Sequence, residues 1–169
     1  TVFSALEPLR KAGIQVGPEH LQPALDNWRW AGRFQRIQAD APVILDGAHN
    51  PHAVQALYQA LPPLTERPLH VVFSAIHTKD VGLMVSQLQK QSTSLHLTPS
   101  SVGKSLQHDA LKELAPGLPV YNNSIAALNA AQGLAQNDGG QVLVTGSLFL
   151  VADVLHHLSG ESRDPGVVS

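Results

Sequence analysis

From residue 42 onward, short apolar runs alternate with segments whose apolar residues recur at helical spacing. The runs predict strands over 42–46, 69–76, 94–98, 118–121 and 141–145. The segments between them predict helices, most clearly over 148–158, where apolar residues follow a 3-4-3 spacing. Continuously apolar strands separated by single helices are typical of a parallel sheet covered on both faces. The sequence therefore predicts a three-layer α/β domain with about five strands.

The predicted helices and the chain ends complete this outline. Helices are predicted over 1–12, from Pro18, and over 54–61, 81–88, 108–115 and 124–136 in addition to the last one. The α/β pattern itself extends over roughly 42–160. The segment from Gly160 to Ser169 is polar and contains glycine and proline, so a frayed tail is expected there.

Composition narrows the class of protein. Of 169 residues, 43% are hydrophobic, which predicts a folded chain rather than a disordered one. The net charge of -2 argues against a general nucleic-acid or anionic-membrane binder. The chain has no cysteine, which excludes disulfides and cysteine metal sites, and no apolar run approaches the roughly 18 residues of a membrane span. We expect a soluble intracellular protein, and the start at Thr1 suggests a piece of a longer chain.

The first candidate site is the string DGAHNPH at 46–52, directly after the first of these strands. A carboxylate that closes a buried strand needs hydrogen-bond partners, so Asp46 either orients a ligand or fastens the loop. Asn50 is a natural N-cap for the following helix. His49 and His52 could form a metal pair only with a third ligand that the sequence does not place nearby.

Three further clusters of polar residues each have a binding and a structural interpretation. Ser147 follows Thr145-Gly146 after the last strand, where it could bind a carboxylate or phosphate or cap the last helix. Lys79-Asp80 could present a cation or form a solvated pair at a helix start. Arg33, between Gly32 and Phe34, could present its guanidinium to a phosphate or lie on the surface.

Two nucleotide-binding motifs are absent from the sequence. The segment 101–105 ends like a P-loop, but Thr98 stands where the first glycine is required. No Gly-x-Gly-x-x-Gly follows the first strand, which argues against a nicotinamide enzyme.

Taken in order, four motifs resemble those of one family. They are WAGRFQ at 30–35, ILDGAHNPHA at 44–53, Lys79-Asp80 and VTGSLFL at 144–150. Together they resemble the C-terminal domain of folylpolyglutamate synthase/dihydrofolate synthase, a member of the Mur ligase superfamily, and DGAHNP is the most specific string. The resemblance implies a Rossmann-like domain with a mostly parallel sheet of five to six strands and helices on both faces.

The same resemblance implies a division of the chain and a reaction. Residues 1–27 would be the end of a central ATPase domain and its linker, 28–160 the C-terminal domain, and 161–169 a flexible tail. The implied enzyme is a cytoplasmic ligase that uses ATP and Mg²⁺ to phosphorylate a carboxylate of dihydropteroate or a folate. L-Glutamate then attacks the acyl phosphate to form an amide. The P-loop and metal ligands would lie in the missing domain, so this chain alone would be inactive.

Site roles follow from the resemblance residue by residue. Arg33 would contact ATP phosphate and Asp46 the ATP ribose or its surroundings. His49 would be catalytic, near both the phosphoryl group and glutamate. Ser147 would bind the glutamate carboxylate, with Lys79 a weaker candidate for the same anion. No metal ligand is assigned in this chain.

Two departures from the family pattern, and two alternatives, accompany this interpretation. Ala31 stands where the family usually has proline, and no arginine occurs between Leu97 and Leu106, where Lys104 is the nearest cation.

The chain could instead be a non-catalytic Rossmann-like binding domain, or the C-terminal domain of another Mur-type ligase. Gly47 and the following Asn50 favour the folate branch over the cell-wall enzymes.

Overall fold

The structure is a computed structural model that describes residues 2–27, 30–61, 66–77 and 80–160. The chain separates into two compact units, Thr1–Ala31 and Gly32–Ser169. The first unit contains helix α1 (Val2–Lys11) and helix α2 (Pro18–Asn27), which confirms both predicted helices. Gly13, with φ of 82°, lies just beyond the end of α1, a position that suits glycine. The predicted tail 161–169 lies outside the described residues.

The second unit is built on one five-stranded sheet. Its strands are β1 (Gln35–Ile37), β2 (Val43–Leu45), β3 (Leu69–Phe73), β4 (Ser94–Leu97) and β5 (Gln141–Thr145). Their order in space is β1-β2-β5-β3-β4. The four strands from β2 onward pair in parallel, and β1 pairs antiparallel with β2 at the edge. The predicted mostly parallel sheet is therefore confirmed.

In the described part of the second unit, five helices cover the two faces of the sheet, namely α3 (Pro51–Ala60), α4 (Val81–Lys90), α5 (His108–Leu114), α6 (Ser124–Asp138) and α7 (Leu148–Ser159). Alternate residues of each strand point to opposite faces. Accordingly, Val71 and Phe73 pack in a core with α3, α4 and α5, whereas Val72 packs in a second core with α6 and α7. Burial on both sides explains why the strands are apolar throughout. None of the helices in the described part of the chain combines the length and the apolar character that a membrane-spanning segment needs.

Two strand assignments differ from the sequence prediction. Residues 118–121 form no strand: Val120 makes a single bridge to Leu97, and the carbonyl of Pro119 accepts the Leu97 N–H at 2.9 Å. Because proline has no N–H to donate, the ladder cannot extend through Pro119. The edge strand β1 has only three residues, with the exposed Arg36 at its centre. Three residues are too few for a recognisable alternation, so β1 was not predicted.

The strand order creates a crevice at the carboxyl ends of β2 and β5. These neighbours continue into helices on opposite faces, because α3 packs in the first core and α7 in the second. Ligands of open α/β sheets bind where adjacent connections diverge in this way. The candidate residues that follow β2 and β5 therefore lie at the edge where a ligand site is expected.

Candidate functional site

Three loops meet at this edge of the sheet, one before β1, one after β2 and one after β5. The Gly47 N–H donates to the Gly32 carbonyl at 2.9 Å, which joins the first two loops. The Gly146 N–H donates to the Ala48 carbonyl, also at 2.9 Å, which joins the second and third. Thr145 adds its hydroxyl to the same carbonyl at 3.4 Å. Loops that are far apart in sequence thus form one hydrogen-bonded unit.

The Asp46 carboxylate ties the loop before β1 to the loop after β2. Its Oδ1 accepts the Ala48 N–H at 2.8 Å, and its Oδ2 accepts the Phe34 N–H at 2.9 Å. Phe34 has a φ of 46°, a left-handed conformation that is uncommon for a non-glycine residue. The guanidinium of Arg36 lies 5.4 Å from the centre of the Phe34 ring. Of the two interpretations left open by the sequence, fastening the loop is the one that the geometry of Asp46 displays.

The Arg33 guanidinium lies beside Gly47, which is buried. A Cβ placed on Gly47 would lie 3.4 Å from Arg33 Nη1 and would collide with the Leu148 side chain. Arg33 itself is exposed, so its N–H groups face the side from which a solute approaches. Gly47 therefore lets α7 and the arginine loop approach the turn after β2 closely.

His49 has its tautomer set by the backbone. Its Nδ1 lies 2.9 Å from the Gly47 carbonyl oxygen, which can only accept a hydrogen bond. Nδ1 therefore holds the proton in the neutral ring, and the lone pair is on Nε2. Because His49 is exposed, this arrangement offers a proton acceptor at the edge of the site.

Two side chains cap the helices that begin at the site. Asn50 Oδ1 accepts the Ala53 N–H at 2.8 Å, which confirms its predicted role as the N-cap of α3. Ser147 Oγ accepts the Phe149 N–H at 3.2 Å and caps α7. The Ser147 hydroxyl uses a lone pair in this contact and not its proton, so it can cap the helix and still donate to an anion.

Gly146 occupies a position that admits no side chain. Its φ is 97°, and a Cβ there would collide with the Phe73 ring and the Ser74 carbonyl. The turn from β5 into α7 is therefore pressed against the end of β3. This contact fixes the direction in which Ser147 leaves the sheet.

The structure joins the loops that hold Arg33, Asp46, His49 and Ser147, and all four residues belong to the second unit. The fifth predicted residue, Lys79, lies outside the described residues. Its neighbour Asp80 precedes α4 without a side-chain cap. The sequence did not reveal the roles of Phe34 and Leu148. A positive φ at Phe34 and the contact of Leu148 with Gly47 leave no recognisable pattern in the sequence. Among the described residues, no three His, Cys, Asp or Glu side chains form a group that could hold a metal.

Comparison with known proteins decides the family. The family described as "Mur ligase, glutamate ligase domain" matches residues 32–148, which is more than half of the chain and includes the three loops of the site. The chain belongs to the Mur ligase family. The match begins at Gly32, the first residue of the second unit, and lies entirely within that unit. The family resemblance inferred from the four motifs is confirmed.

Individual relatives point to the folate branch of the family. The dihydrofolate synthase/folylpolyglutamate synthase of Bacillus subtilis is 27% identical over 164 residues, covering 91% of this chain and 36% of the relative. The structure of Escherichia coli FolC in complex with DHPP and ADP is 27% identical with a TM-score of 0.78, covering 92% of this chain and 38% of that one.

A third relative supports the fold. The Yersinia pestis bifunctional folylpolyglutamate synthase/dihydrofolate synthase with Mn, AMPPNP and L-glutamate bound has a TM-score of 0.74 at 23% identity. The match covers 92% of this chain and 38% of that one. The chain thus spans little more than a third of the length of these relatives.

Proposed function

We propose that this chain forms the glutamate-binding part of an ATP-dependent ligase that joins L-glutamate to dihydropteroate or a folate through an acyl phosphate. The observation that supports this most directly is the hydrogen-bonded union of three loops around Asp46. The union gathers a cation, an imidazole and a helix-capping hydroxyl at one sheet edge. Acyl-phosphate chemistry needs donors for anions and an acceptor for the amine proton at such an edge.

Arg33 is the proposed contact for ATP phosphate. Its planar guanidinium offers five N–H donors in a geometry that matches phosphate oxygens, and it stands exposed beside Gly47. Asp46 acts mainly as a positioning residue for this arginine, because each of its oxygens accepts a backbone N–H. Each oxygen retains a lone pair, which allows the additional contact with the ATP ribose that the resemblance implies.

His49 and Ser147 are the proposed contacts for the amino acid. The Ser147 hydroxyl proton is directed to the glutamate carboxylate while its lone pair caps α7. The start of α7 adds a partial positive charge that favours the same anion. The lone pair on His49 Nε2 can accept a proton from the glutamate amine, which must be neutral to attack. Lys79 remains a secondary candidate for the carboxylate.

ATP would supply the phosphoryl group that activates the carboxylate, and Mg²⁺ would neutralise charge on it. The exposed arginine suits the nucleotide, whereas the described residues offer no cluster of metal ligands. We therefore assign the metal ligands and the triphosphate cradle to a further domain and propose that this chain is inactive without it. Such a domain, ATP, L-glutamate and a pteroate or folate are the proposed partners.

A domain replacement tests the proposal. This chain is fused in place of the corresponding part of the Escherichia coli relative, and phosphate release is measured with ATP, Mg²⁺, dihydropteroate and L-glutamate. Activity should need the fused chain and should fall about 10²–10³-fold in Arg33→Ala, the size of effect seen when a donor to developing charge is lost. The matched control is Lys90→Ala, an exposed cation at the end of α4, which should leave activity unchanged.

The other outcomes of the same assay each contradict part of the proposal. A folded fusion that releases no phosphate would favour a non-catalytic binding domain. Activity with D-glutamate or L-lysine but not with L-glutamate would assign the chain to another Mur-type ligase. Phosphate release by the unfused chain would contradict the assignment of the phosphate cradle to a further domain.

A further inference from the structure

Five polar side chains form a continuous hydrogen-bonded chain between the sheet and α6, remote in sequence from the three loops. Asp138 Oδ2 lies 2.9 Å from His70 Nε2, and His70 Nδ1 lies 2.8 Å from Ser94 Oγ. The same Ser94 oxygen lies 2.8 Å from His96 Nε2, and His96 Nδ1 lies 3.0 Å from the Tyr121 hydroxyl. We call these residues the relay, and the proposed ligase function uses none of them.

The relay is buried at its centre and reaches the surface at its carboxylate end. His70 and His96 are 2% and 3% exposed, whereas the Asp138 side chain is 37% exposed. Both imidazoles lie on the α6 face, because their strand neighbours pack in the opposite core. The α6 residues buried over this face are uncharged, so Asp138 is the charged group that α6 brings to the relay. The titratable members are therefore Asp138, His70, His96 and Tyr121.

The hydrogen positions in the uncharged relay follow from counting donors. An ionised Asp138 can only accept, so His70 must donate from Nε2 and accept at Nδ1. The single Ser94 hydroxyl proton is then donated to His70 Nδ1, so His96 must donate from Nε2 to the Ser94 oxygen. His96 Nδ1 therefore accepts the Tyr121 proton. With both histidines neutral, one arrangement satisfies all four contacts, and every donor points toward Asp138.

One additional proton also has a fully satisfied arrangement. If His70 becomes cationic, it donates to both Asp138 and Ser94, and the carboxylate compensates its charge. Ser94 then donates to His96 Nε2, and His96 donates from Nδ1 to the Tyr121 oxygen. The direction of every contact beyond His70 is reversed, and His96 stays neutral as the other tautomer. A second proton on His96 would leave the Ser94 proton without an acceptor and place two cations around one hydroxyl.

We propose that the relay is a two-state, proton-driven tautomer switch, in which protonation of His70 beside Asp138 reverses the hydrogen-bond direction and moves the His96 proton from Nε2 to Nδ1. Burial, and to a smaller extent the charge of His70, lower the pKa of His96 to about 4, so His96 is the histidine that resists a charge of its own. In the protonated state the Tyr121 oxygen becomes an acceptor, and its proton is available outside the relay.

Part of the relay resembles a hydrolase triad in residue types, but its geometry argues against acyl transfer. Asp138, His70 and Ser94 follow one another as in such triads. The Ser94 oxygen, however, already contacts a second imidazole, which in the neutral state donates a proton to it and lowers its nucleophilicity. His70 is almost fully buried as well. The interpretation as a switch accounts for the second histidine and the tyrosine, which a triad does not need.

Nitrogen-15 spectra of the imidazoles test the switch directly in the 169-residue chain. At pH 8 both relay histidines should show the Nε2–H pattern. On acidification, His70 should become doubly protonated while His96 changes to the Nδ1–H pattern and remains neutral. A His96 that keeps its Nε2–H form while His70 becomes doubly protonated, or an Nδ1–H form of either ring at pH 8, would overturn the proposal.

Variants test the two ends of the relay. Asp138→Asn removes the compensating charge, so the tautomer change should move to lower pH by roughly one unit or more. The exposed Asp40→Asn is its control and should leave the midpoint unchanged. Tyr121→Phe removes the partner of His96 Nδ1 in both states, a donor in the uncharged relay and an acceptor in the protonated one, and should therefore also shift the midpoint. Tyr58→Phe, which removes a half-buried phenol hydroxyl that donates to the Leu88 carbonyl, should have no such effect. An unchanged midpoint in both relay variants would contradict the switch. If a variant fails to fold, the wild-type spectra alone still show whether the His96 tautomer changes.

Discussion

Asp46 and Phe34 are joined by a hydrogen bond from the Phe34 N–H to the Asp46 carboxylate, 2.9 Å long, across a separation of twelve residues. The bond holds Phe34 at a φ of 46°, next to the arginine proposed to bind phosphate. A backbone conformation of this kind costs about 1–3 kcal/mol and persists where surrounding contacts enforce it. The loop before β1 is therefore shaped by a residue that follows β2.

Asp46→Asn should destabilise the domain and loosen this loop. The amide has one oxygen for two backbone donors, so one buried N–H loses its acceptor, at about 1–3 kcal/mol. Urea unfolding measures the loss, and the Phe34 amide resonance should shift. The exposed Asp40→Asn provides the matched control. Equal stability of the two variants would show that the two backbone contacts contribute little.

Gly47→Ala should destabilise the domain through its collision with Leu148. Because the contacted atoms belong to the end of the Leu148 side chain, which is 46% exposed and can turn aside, the loss should lie below the roughly 1 kcal/mol at which overpacking of a closed core begins. Combining it with Leu148→Ala should recover part of the loss, because the smaller side chain removes the contact. Gly133→Ala is the control of opposite sign: in α6 an added methyl meets no atom within 4 Å and should stabilise the helix by roughly 0.5–1 kcal/mol. Additive losses in the double variant would contradict the proposed contact.

Ser147→Ala should affect both stability and substrate binding. Losing the N-cap of α7 should cost about 1 kcal/mol. In the fusion enzyme the KM for L-glutamate should also rise, because the proposed donor to the carboxylate is gone. Asn123→Ala removes the equivalent cap of α6, outside the three loops, and should cost similar stability with no change in KM. A KM that rises equally in both variants would indicate a general effect of helix fraying.

Stability should fall with acidification because of His96. Its pKa is about 4 in the folded chain and 6.5 in the unfolded one, so the unfolded state binds more protons between these values. The free energy of unfolding therefore loses up to about 3 kcal/mol from this group between pH 6.5 and pH 4, and nothing from it above pH 6.5. Urea midpoints across this range measure the slope, which should be smaller in His96→Asn. His157→Asn, an exposed histidine of α7, should retain the wild-type slope.

The sequence predicted most of the sheet because these strands are buried on both faces. Such strands must be continuously apolar, and four of the five observed strands were recognisable for that reason. The run 118–121 has a similar composition, but Pro119 and the single bridge to Leu97 limit it to an isolated contact. Edge strand β1 is short and partly exposed, so its pairing with β2 depends on a contact that composition does not encode.

For the site, the sequence by itself determined the chemical groups and their family, since the DGAHNP and TGS strings mark the turns after β2 and β5. It left open whether Asp46 binds a ligand or fastens a loop, and whether Ser147 is more than a cap. Only the tertiary structure decided that β5 lies between β2 and β3, which brings Thr145 and Ala48, 97 residues apart, into hydrogen-bond contact. The relay was equally invisible, because the partners of His70 lie 24 and 68 residues away. Side-chain chemistry is local in sequence, whereas hydrogen-bond partners across a sheet depend on strand order and register, which are fixed when the whole core packs.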